Sequence, residues 1–445
     1  MSILQEFVQN GCVVIDLSEE LGDFHDKFIE KTKSIPLIQG STMDDSYPEL
    51  SEIFSHPQVV SALSLLLGEN YIQGHMRSTF SGKYKPNRTP HRDFDTYYSF
   101  YNDLNIDRTS FINPWSRDHY CRMIQLFYLP VSNYNTRSGT GLIPGSQYWD
   151  DLKITSMMDL DFDCDRVRLR KKGMVVLAHS DLWHYAYPQS EWDDRLLIKT
   201  SFFRTESPVA SDIPELNFIW KDNVTPSDVS DYHWNWYFGN NISLNNSLGY
   251  SDFDRDSFSG KSCKERLEGI YQLAGIQDTT PMIEDIFSSE LVSDNYYSGV
   301  LTTALSLNLN CKSEMIDILE QDRFWRDRAI ATSILSNMGK DDSLSQKWNS
   351  WLESGSGYFL VNLVRGAPIV CQGNPDTLNL IVDSLKSPGN LRGDLVLNES
   401  INSVMQLAKS TGIIPDIESN LDSYISEKGE YISSNAYQAK KFLYN

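Results

Sequence analysis

The tripeptide His91-Arg92-Asp93 has the composition of a metal-binding element. On a β-strand, residues two positions apart point to the same face, so this spacing sets an imidazole beside a carboxylate. Two histidines and one carboxylate form the facial triad that binds non-haem iron(II) and leaves three coordination positions open. A lone His-x-Asp on a strand is more often a hydrogen-bonded surface pair. The tripeptide therefore indicates a metal site only if a second histidine accompanies it.

The segment from Gly173 to Tyr187 offers that second histidine twice, as His179 and as His184. A turn glycine is followed by an apolar run typical of a buried strand, and the two histidines come after it. Either would complete a facial triad and leave room for substrate and dioxygen. The alternative is a structural histidine packed under aromatic residues such as Trp183.

Arg195 follows His184 by eleven residues and begins the apolar run Leu196–Ile198. An arginine at the start of a buried strand needs a carboxylate partner, because burying an unpaired charge is costly. The planar guanidinium group suits a carboxylate that binds it through two hydrogen bonds. That carboxylate could belong to a ligand, or the arginine could form a plain salt bridge with Asp193 or Asp194.

Short strands are predicted to position these groups. Aromatic and β-branched runs at 71–84, 122–129, 175–177 and 196–203 are separated by turn-rich segments, and no βαβ alternation occurs. This pattern predicts an antiparallel barrel or a double-sheet jelly roll. A helix followed by a strand is predicted for the first 15 residues, with helices at 18–33 and 57–68. We interpret residues 94–118, rich in Tyr, Asn and Asp, as a lid or loop.

Residues 4–204 resemble the phytanoyl-CoA dioxygenase family of iron(II)- and 2-oxoglutarate-dependent oxygenases. The resemblance rests on four motifs: FVQNGCVVID near the start, HRD at 91–93, GTGLIPGSQYW at 139–149, and LWHYAYPQSEWDDR at 182–195. It implies a double-stranded β-helix barrel of the cupin-like, jelly-roll kind with iron at its mouth. The glycines and proline of the third motif would form a tight turn.

The resemblance also implies roles for particular residues. His91, Asp93 and His184 match the iron ligands and thus the catalytic centre. Arg195 matches the residue that pairs with the distal carboxylate of 2-oxoglutarate, and Gln125 falls where the family often has a second co-substrate contact. The implied cofactors are Fe(2+), 2-oxoglutarate and O2. The implied reaction is hydroxylation of an unactivated C–H bond of a small molecule, with release of succinate and CO2.

The chain departs from the family pattern at three places. The insertion at 94–118 is long, Pro188-Gln189 stands where Pro-Asn is usual, and His179 competes with His184 for the role of distal ligand. The spacing to Arg195 favours His184. The chain after residue 210 matches no family that we recognise.

The length of 445 residues predicts more than one domain. We expect an α+β protein: an oxygenase jelly roll with flanking helices at 1–208, an irregular linker or packed extension at 209–260, and an α-helical domain of unassigned role at 261–445. No fixed repeat period stands out in the last part. Stacked helical hairpins remain open for it.

Charge and composition restrict the partners. A net charge of −21 argues against nucleic acid or an anionic membrane as the main partner. No run of 18 apolar residues and no secretory signal is evident, and the six cysteines form no C-x-x-C pair, which fits a reducing, cytoplasmic setting. Basic residues cluster at 83–92 and 166–172 and would suit an anionic or carrier-bound substrate, or would simply be solvated sheet edges. The oligomeric state is left open.

Two other functions are compatible with these residues. One is a non-catalytic barrel that acts as a scaffold through its helical domain. The other is a zinc-dependent hydrolase on a cupin-like barrel, because zinc also accepts histidine and carboxylate ligands. The intact triad together with Arg195 argues against the scaffold. Arg195 and the Pro-Gly-Ser turn argue against the zinc hydrolase.

Overall fold

The protein was analysed as a computed structural model. It combines two antiparallel β-sheets with a C-terminal array of helices. His91, Asp93 and the 94–118 insertion lie outside the residues it describes. The described residues are 2–34, 46–81, 119–132, 140–149, 167–169, 171–186, 195–214, 219–221, 225–240, 244, 249–253, 262–287, 295–321, 323, 325–355, 357–386, 393–428 and 430–444.

The chain begins with a helix and a strand, as predicted. Ser2 and Gln5 form a capping box at the start of the first helix, and Gly11 ends it with a left-handed backbone, φ 71°. The helix predicted from residue 18 begins only at Phe24, because residues 18–23 form turns that include Gly22 at φ 50°. The N-terminal helices with described bounds are α1 (Ile3–Asn10), α2 (Phe24–Ser34), α3 (Ser51–Phe54) and α4 (Pro57–Leu67).

Eight strands form the two sheets in the described part of the chain. They are β1 (Cys12–Asp16), β2 (Ile72–Ser81), β3 (Met123–Leu129), β4 (Thr140–Leu142), β5 (Val167–Leu169), β6 (Met174–His179), β7 (His184–Ala186) and β8 (Arg195–Phe203). The larger sheet has the order β1-β6-β3-β8-β2 and the smaller sheet the order β5-β4-β7, with antiparallel pairing throughout. After β3 the chain visits the smaller sheet twice, returning to the larger one at β6 and again at β8. The predicted antiparallel sheets are therefore confirmed.

The larger sheet is buried on both faces. Phe127, Val176 and Leu197 pack with Leu142 of the smaller sheet in one apolar cluster. Their neighbours along the strands point the other way and join the helix-packed core, because side chains alternate along a strand. The space between the sheets is consequently lined by every second residue of β3, β6 and β8.

The C-terminal part is helical, as predicted, and consists of stacked hairpins. Helices α6, α8, α10, α12, α14 and α16 pack one after another, and α7, α9, α11, α13 and α15 pack against this layer. Helices α14 and α16 also contact β2, so the array lies against the larger sheet. The bounds are α6 (Cys263–Ala274), α7 (Thr280–Phe287), α8 (Asn295–Leu307), α9 (Lys312–Glu320), α10 (Trp325–Asn337), α11 (Asp342–Ser354), α12 (Gly357–Val370), α13 (Pro375–Lys386), α14 (Gly393–Thr411), α15 (Glu418–Glu427) and α16 (Glu430–Tyr444).

A further helix, α5 (Ser227–Tyr237), lies between the sheets and the array in sequence and packs against α1. Arg204, just after β8, sits over the ring of Trp236 at 5.0 Å and donates a hydrogen bond to the carbonyl oxygen of Leu66 at 2.6 Å. The cysteines Cys12, Cys121, Cys311 and Cys371 are buried free thiols. No helix in the described part of the chain has the length and apolar character needed to cross a bilayer.

Candidate metal site between the two sheets

His184 is the first residue of β7 and lies opposite Leu142 of β4. Residues directly opposite each other in an antiparallel pair share a face, so His184 faces the space between the sheets together with Leu142. Its Nδ1 lies 3.1 Å from the carbonyl oxygen of Leu182, which can only accept a hydrogen bond. Nδ1 therefore carries the ring hydrogen, and Nε2 offers a lone pair. A histidine that binds a metal is usually held in this way.

The Nε2 atom of His184 points across to the larger sheet. Lys199 on β8 places its Nζ 3.3 Å from this nitrogen, and the ring of Phe127 lies 5.3 Å from the imidazole, centre to centre. Lys199 is itself only 6% exposed, with its amine 4.7 Å from the centre of the Phe127 ring. Lys199 was not among the site residues predicted from the sequence. The one available signal was a lysine directly after the apolar residues Leu196–Ile198.

His179 lies on the other face of the larger sheet. It ends β6 opposite Ile124, which belongs to the helix-packed core. Its Nδ1 accepts a hydrogen bond from the backbone N–H of Asp181 at 3.1 Å, so the ring hydrogen resides on Nε2. The ring packs near Phe7 and Tyr148, at centroid distances of 6.2 and 6.5 Å. The two candidate histidines thus stand on opposite sides of one sheet, in opposite tautomers.

The other predicted site residues fall at three kinds of position. Gln125 is buried on β3, paired with Ala178 and Ser201, and shares the inter-sheet face with Phe127. The structure thus brings Gln125 and His184 to the same space. Arg195 begins β8, and its backbone lies opposite Ser81. His91 and Asp93 lie outside the described residues, so their place in a triad stays a prediction.

The Pro-Gly-Ser turn holds the segment that leads into His184. Gly145 takes a left-handed backbone at φ 77°. The hydroxyl of Ser146 donates to the carbonyl oxygen of Ile143 at 2.6 Å and accepts from the backbone N–H of Trp183 at 3.0 Å. The backbone N–H of Ile143 donates in turn to the carbonyl oxygen of Trp183 at 3.0 Å. This turn therefore positions the residue directly before the candidate ligand.

A second group of histidines lies between the sheets and the helices. His119 and His233 both contact the hydroxyl of Tyr271, at 3.0 and 2.6 Å, and Tyr148 stacks on His233 at 4.3 Å. Burial lowers the pKa of His179 to about 3. Burial and the neighbouring His119 and His179 hold the pKa of His233 well below its usual range. Within the described ranges, no three His, Cys, Asp or Glu side chains stand close enough to hold a metal. We interpret this group as a structural contact.

These buried neutral histidines predict sensitivity to acid. Below pH 6.5 an unfolded histidine takes up a proton, whereas folded His179 does so only near pH 3. The free energy of unfolding therefore falls as the pH is lowered from 6.5 towards 3. For His179 alone the loss between pH 6.5 and pH 5 is about 2 kcal/mol. Urea unfolding of His179→Phe and of the unchanged protein, at pH 6.5 and at pH 5, measures this loss. Between the two pH values, the free energy of unfolding should fall by about 2 kcal/mol less in His179→Phe than in the unchanged protein. An equal fall in the two proteins would mean that His179 is not buried in its neutral form.

Two members of the basic cluster at 166–172 are engaged with acids. Lys172 pairs with Asp26 at 2.8 Å, and Lys171 forms a shorter hydrogen bond with Asp16. Both pairs are partly exposed on the side of β1 and α2. These contacts favour the simpler interpretation of Lys171 and Lys172 as solvated edge residues rather than as a substrate-binding surface.

No protein-family model matches the chain, and no curated protein matches it either. Among solved structures it is similar to the non-haem α-ketoglutarate-dependent epimerase SnoN from nogalamycin biosynthesis, with 12% identity and a TM-score of 0.33 over 46% of this chain and 82% of that one. It is similar to EctD from S. alaskensis with 2-oxoglutarate and 5-hydroxyectoine, with 14% identity and a TM-score of 0.35 over 49% and 82%. It is also similar to the non-haem monooxygenase ThoJ in complex with nickel, with 12% identity and a TM-score of 0.30 over 47% of this chain and 82% of that one.

Proposed function

We propose that the two-sheet domain is an iron(II)- and 2-oxoglutarate-dependent oxygenase that hydroxylates an unactivated C–H bond of a small molecule. The observation that carries this proposal is the state of His184. Its Nδ1 donates a hydrogen bond to the carbonyl oxygen of Leu182, and its Nε2 lone pair faces the space between the sheets. A buried imidazole oriented by a backbone carbonyl is typical of a metal ligand. His179 has the opposite tautomer and the opposite face, so we assign the distal ligand to His184.

The strand order supports a place for the other two ligands. We interpret the alternation of strands between the two sheets as a jelly roll of the double-stranded β-helix kind. In the smaller sheet β7 forms an edge among the described strands, and the chain leaves β2 at Ser81 to continue through His91 and Asp93. A strand that follows β2 and pairs with this edge of β7 would bring both residues beside His184. The donor set would then be the facial triad that suits iron(II).

The remaining residues are proposed to bind the co-substrate. By strand alternation, position 195 shares a face with Leu197 and Lys199, so we expect Arg195 to reach the same space and to bind the distal carboxylate of 2-oxoglutarate. Gln125 would contribute an amide hydrogen bond from β3. Phe127 and Leu197 line the space with apolar surface, which excludes water and strengthens these charged contacts. Iron(II) held by these residues, together with 2-oxoglutarate, would supply the activation of dioxygen.

The product is expected to be hydroxylated rather than halogenated. A triad that included the carboxylate of Asp93 would leave three coordination positions, which 2-oxoglutarate and dioxygen would fill, so none would remain for a halide. Turnover across a metabolite library in chloride buffer, followed by mass spectrometry, should show succinate release and a substrate mass gain of one oxygen. A chlorinated product from the unchanged protein would contradict the assignment of Asp93.

One observation favours a second candidate, a non-catalytic barrel. The amine of Lys199 stands at the nitrogen of His184 that a metal would need. In that case the chain would act through its stacked helices, whose packing against β2 would make the barrel a support. The metal-binding experiment in the next subsection separates the two candidates.

We further propose the domain organisation that the sequence predicted. The oxygenase domain would span residues 1–208, the packed extension with α5 would span 209–260, and the helices from 261 onward would hold a substrate, a carrier or another subunit. A cytoplasmic site of action is proposed on the same basis. Neither nucleic acid nor a membrane surface is expected as partner, since the net charge of the chain is −21.

A further inference from the structure

Lys199 is a buried cation beside the candidate ligand His184. Its side chain is buried, its Nζ lies 3.3 Å from Nε2 of His184, and the face of Phe127 covers it at 4.7 Å. Because Nδ1 of His184 holds the ring hydrogen, Nε2 is the acceptor and the lysine ammonium is the donor. The nitrogen that a metal would use is therefore occupied by a hydrogen bond.

A metal and this hydrogen bond cannot coexist. A divalent metal ion binds imidazole nitrogen at about 2 Å, along the same lone pair that the lysine now uses. An ammonium that stayed within about 4 Å of such an ion would be repelled strongly, since two like charges at that distance are only weakly screened in a space lined by apolar residues. Metal binding must consequently move the amine of Lys199 away from His184.

We propose that Lys199 is a built-in competitor for the metal and that it couples metal binding to co-substrate binding. The displaced ammonium is driven off by the metal but is attracted by an anion, so it pairs with the carboxylate of an α-keto acid that binds beside the metal. The metal alone is then bound weakly, and metal and α-keto acid strengthen each other reciprocally. This inference rests on the proposed function, since it takes His184 as a metal ligand.

The arrangement on β8 makes the movement local. Lys199 has a long, flexible side chain, and the ring of Phe127 already lies within cation–π range, so the amine can shift while keeping a favourable partner. No backbone change in β3 or β8 is required. The contribution of Lys199 to the coupling therefore depends on one side chain, and a single substitution should remove that contribution.

Calorimetric titration with Co2+, in the presence and absence of 2-oxoglutarate, tests the proposal on the full chain. The unchanged protein should bind Co2+ roughly tenfold or more tightly when 2-oxoglutarate is present. Lys199→Met should bind Co2+ alone roughly tenfold or more tightly than the unchanged protein, and the additional gain from 2-oxoglutarate should be smaller than in the unchanged protein. Lys199→Arg, which keeps the charge, should not show the gain. Lys199→Gln serves as the neutral variant if Lys199→Met does not fold.

Two controls make the outcomes distinct. Lys172→Met removes a partly exposed lysine that pairs with Asp26, and it should leave Co2+ binding unchanged. Adding His184→Ala to Lys199→Met should abolish the tight binding, which locates it at this site. If the unchanged protein binds Co2+ through His184 and the neutral variants bind no more tightly, the competitor role is wrong while the proposed function stands. If neither the unchanged protein nor any neutral variant binds Co2+ through His184, both are wrong.

Discussion

His184→Ala should abolish metal-dependent turnover and weaken metal binding by roughly 100-fold or more, whereas His179→Ala should leave metal binding nearly unchanged. Loss of a residue that merely orients a ligand already costs about 10- to 100-fold in metal affinity, so loss of a ligand itself should cost at least as much. His184 presents its lone pair to the space between the sheets, and His179 lies on the far face of the larger sheet. Bound metal per chain and the affinity for Co2+ measure the difference.

Each histidine variant serves as the control for the other. Both side chains are buried, so both substitutions leave a cavity and are expected to lower stability. Unfolding curves recorded in parallel separate this common loss from the loss of metal. If His179→Ala lost the metal and His184→Ala kept it, the assignment of the distal ligand would be reversed.

Arg195→Ala should weaken 2-oxoglutarate binding by about 2–4 kcal/mol while leaving metal affinity largely intact. The expected loss is that of a charge-assisted, two-point hydrogen bond to a carboxylate in a water-excluded space. The affinity can be measured by titrating 2-oxoglutarate into the metal-loaded protein. Arg195→Lys should recover only part of the loss, because an ammonium cannot reproduce the planar fork.

The matched control for this variant is Lys171→Ala, which removes a positive charge at a partly exposed site paired with Asp16. It should not change 2-oxoglutarate affinity, since it lies outside the inter-sheet space. Unchanged affinity in Arg195→Ala as well would remove Arg195 from the co-substrate site and would leave its role as a salt-bridge partner.

The larger elements could be predicted because they follow from local periodicity. The apolar runs that became β3, β6 and β8 are buried on both faces, and the turn residues between them mark their ends. The choice between His179 and His184 needed the structure, because β6 has apolar residues on both faces and alternation alone does not tell which face meets the smaller sheet. His179 continues the series of Val175 and Leu177 on the helix-packed face, so it could not point toward the smaller sheet.

Other features depend on contacts that local sequence does not encode. Lys199 sits in a strand with apolar residues on both faces, so alternation alone could not tell that its amine meets His184 across the sheets. The stacked hairpins escaped detection as a repeat because their helices range from 8 to 19 residues. The early start predicted for α2 failed because a turn with Gly22 in a left-handed conformation occupies residues 18–23.

We expect the two-sheet domain to bind iron(II) and 2-oxoglutarate at one site that includes His184. The most direct measurement is an anaerobic titration of 2-oxoglutarate into the iron(II)-loaded protein, followed by visible absorption. We expect a metal-to-ligand charge-transfer band that saturates at one 2-oxoglutarate per chain and is absent from His184→Ala. If iron(II) binds and no band forms, or if the band survives in His184→Ala, the proposed iron(II) and 2-oxoglutarate site at His184 is contradicted.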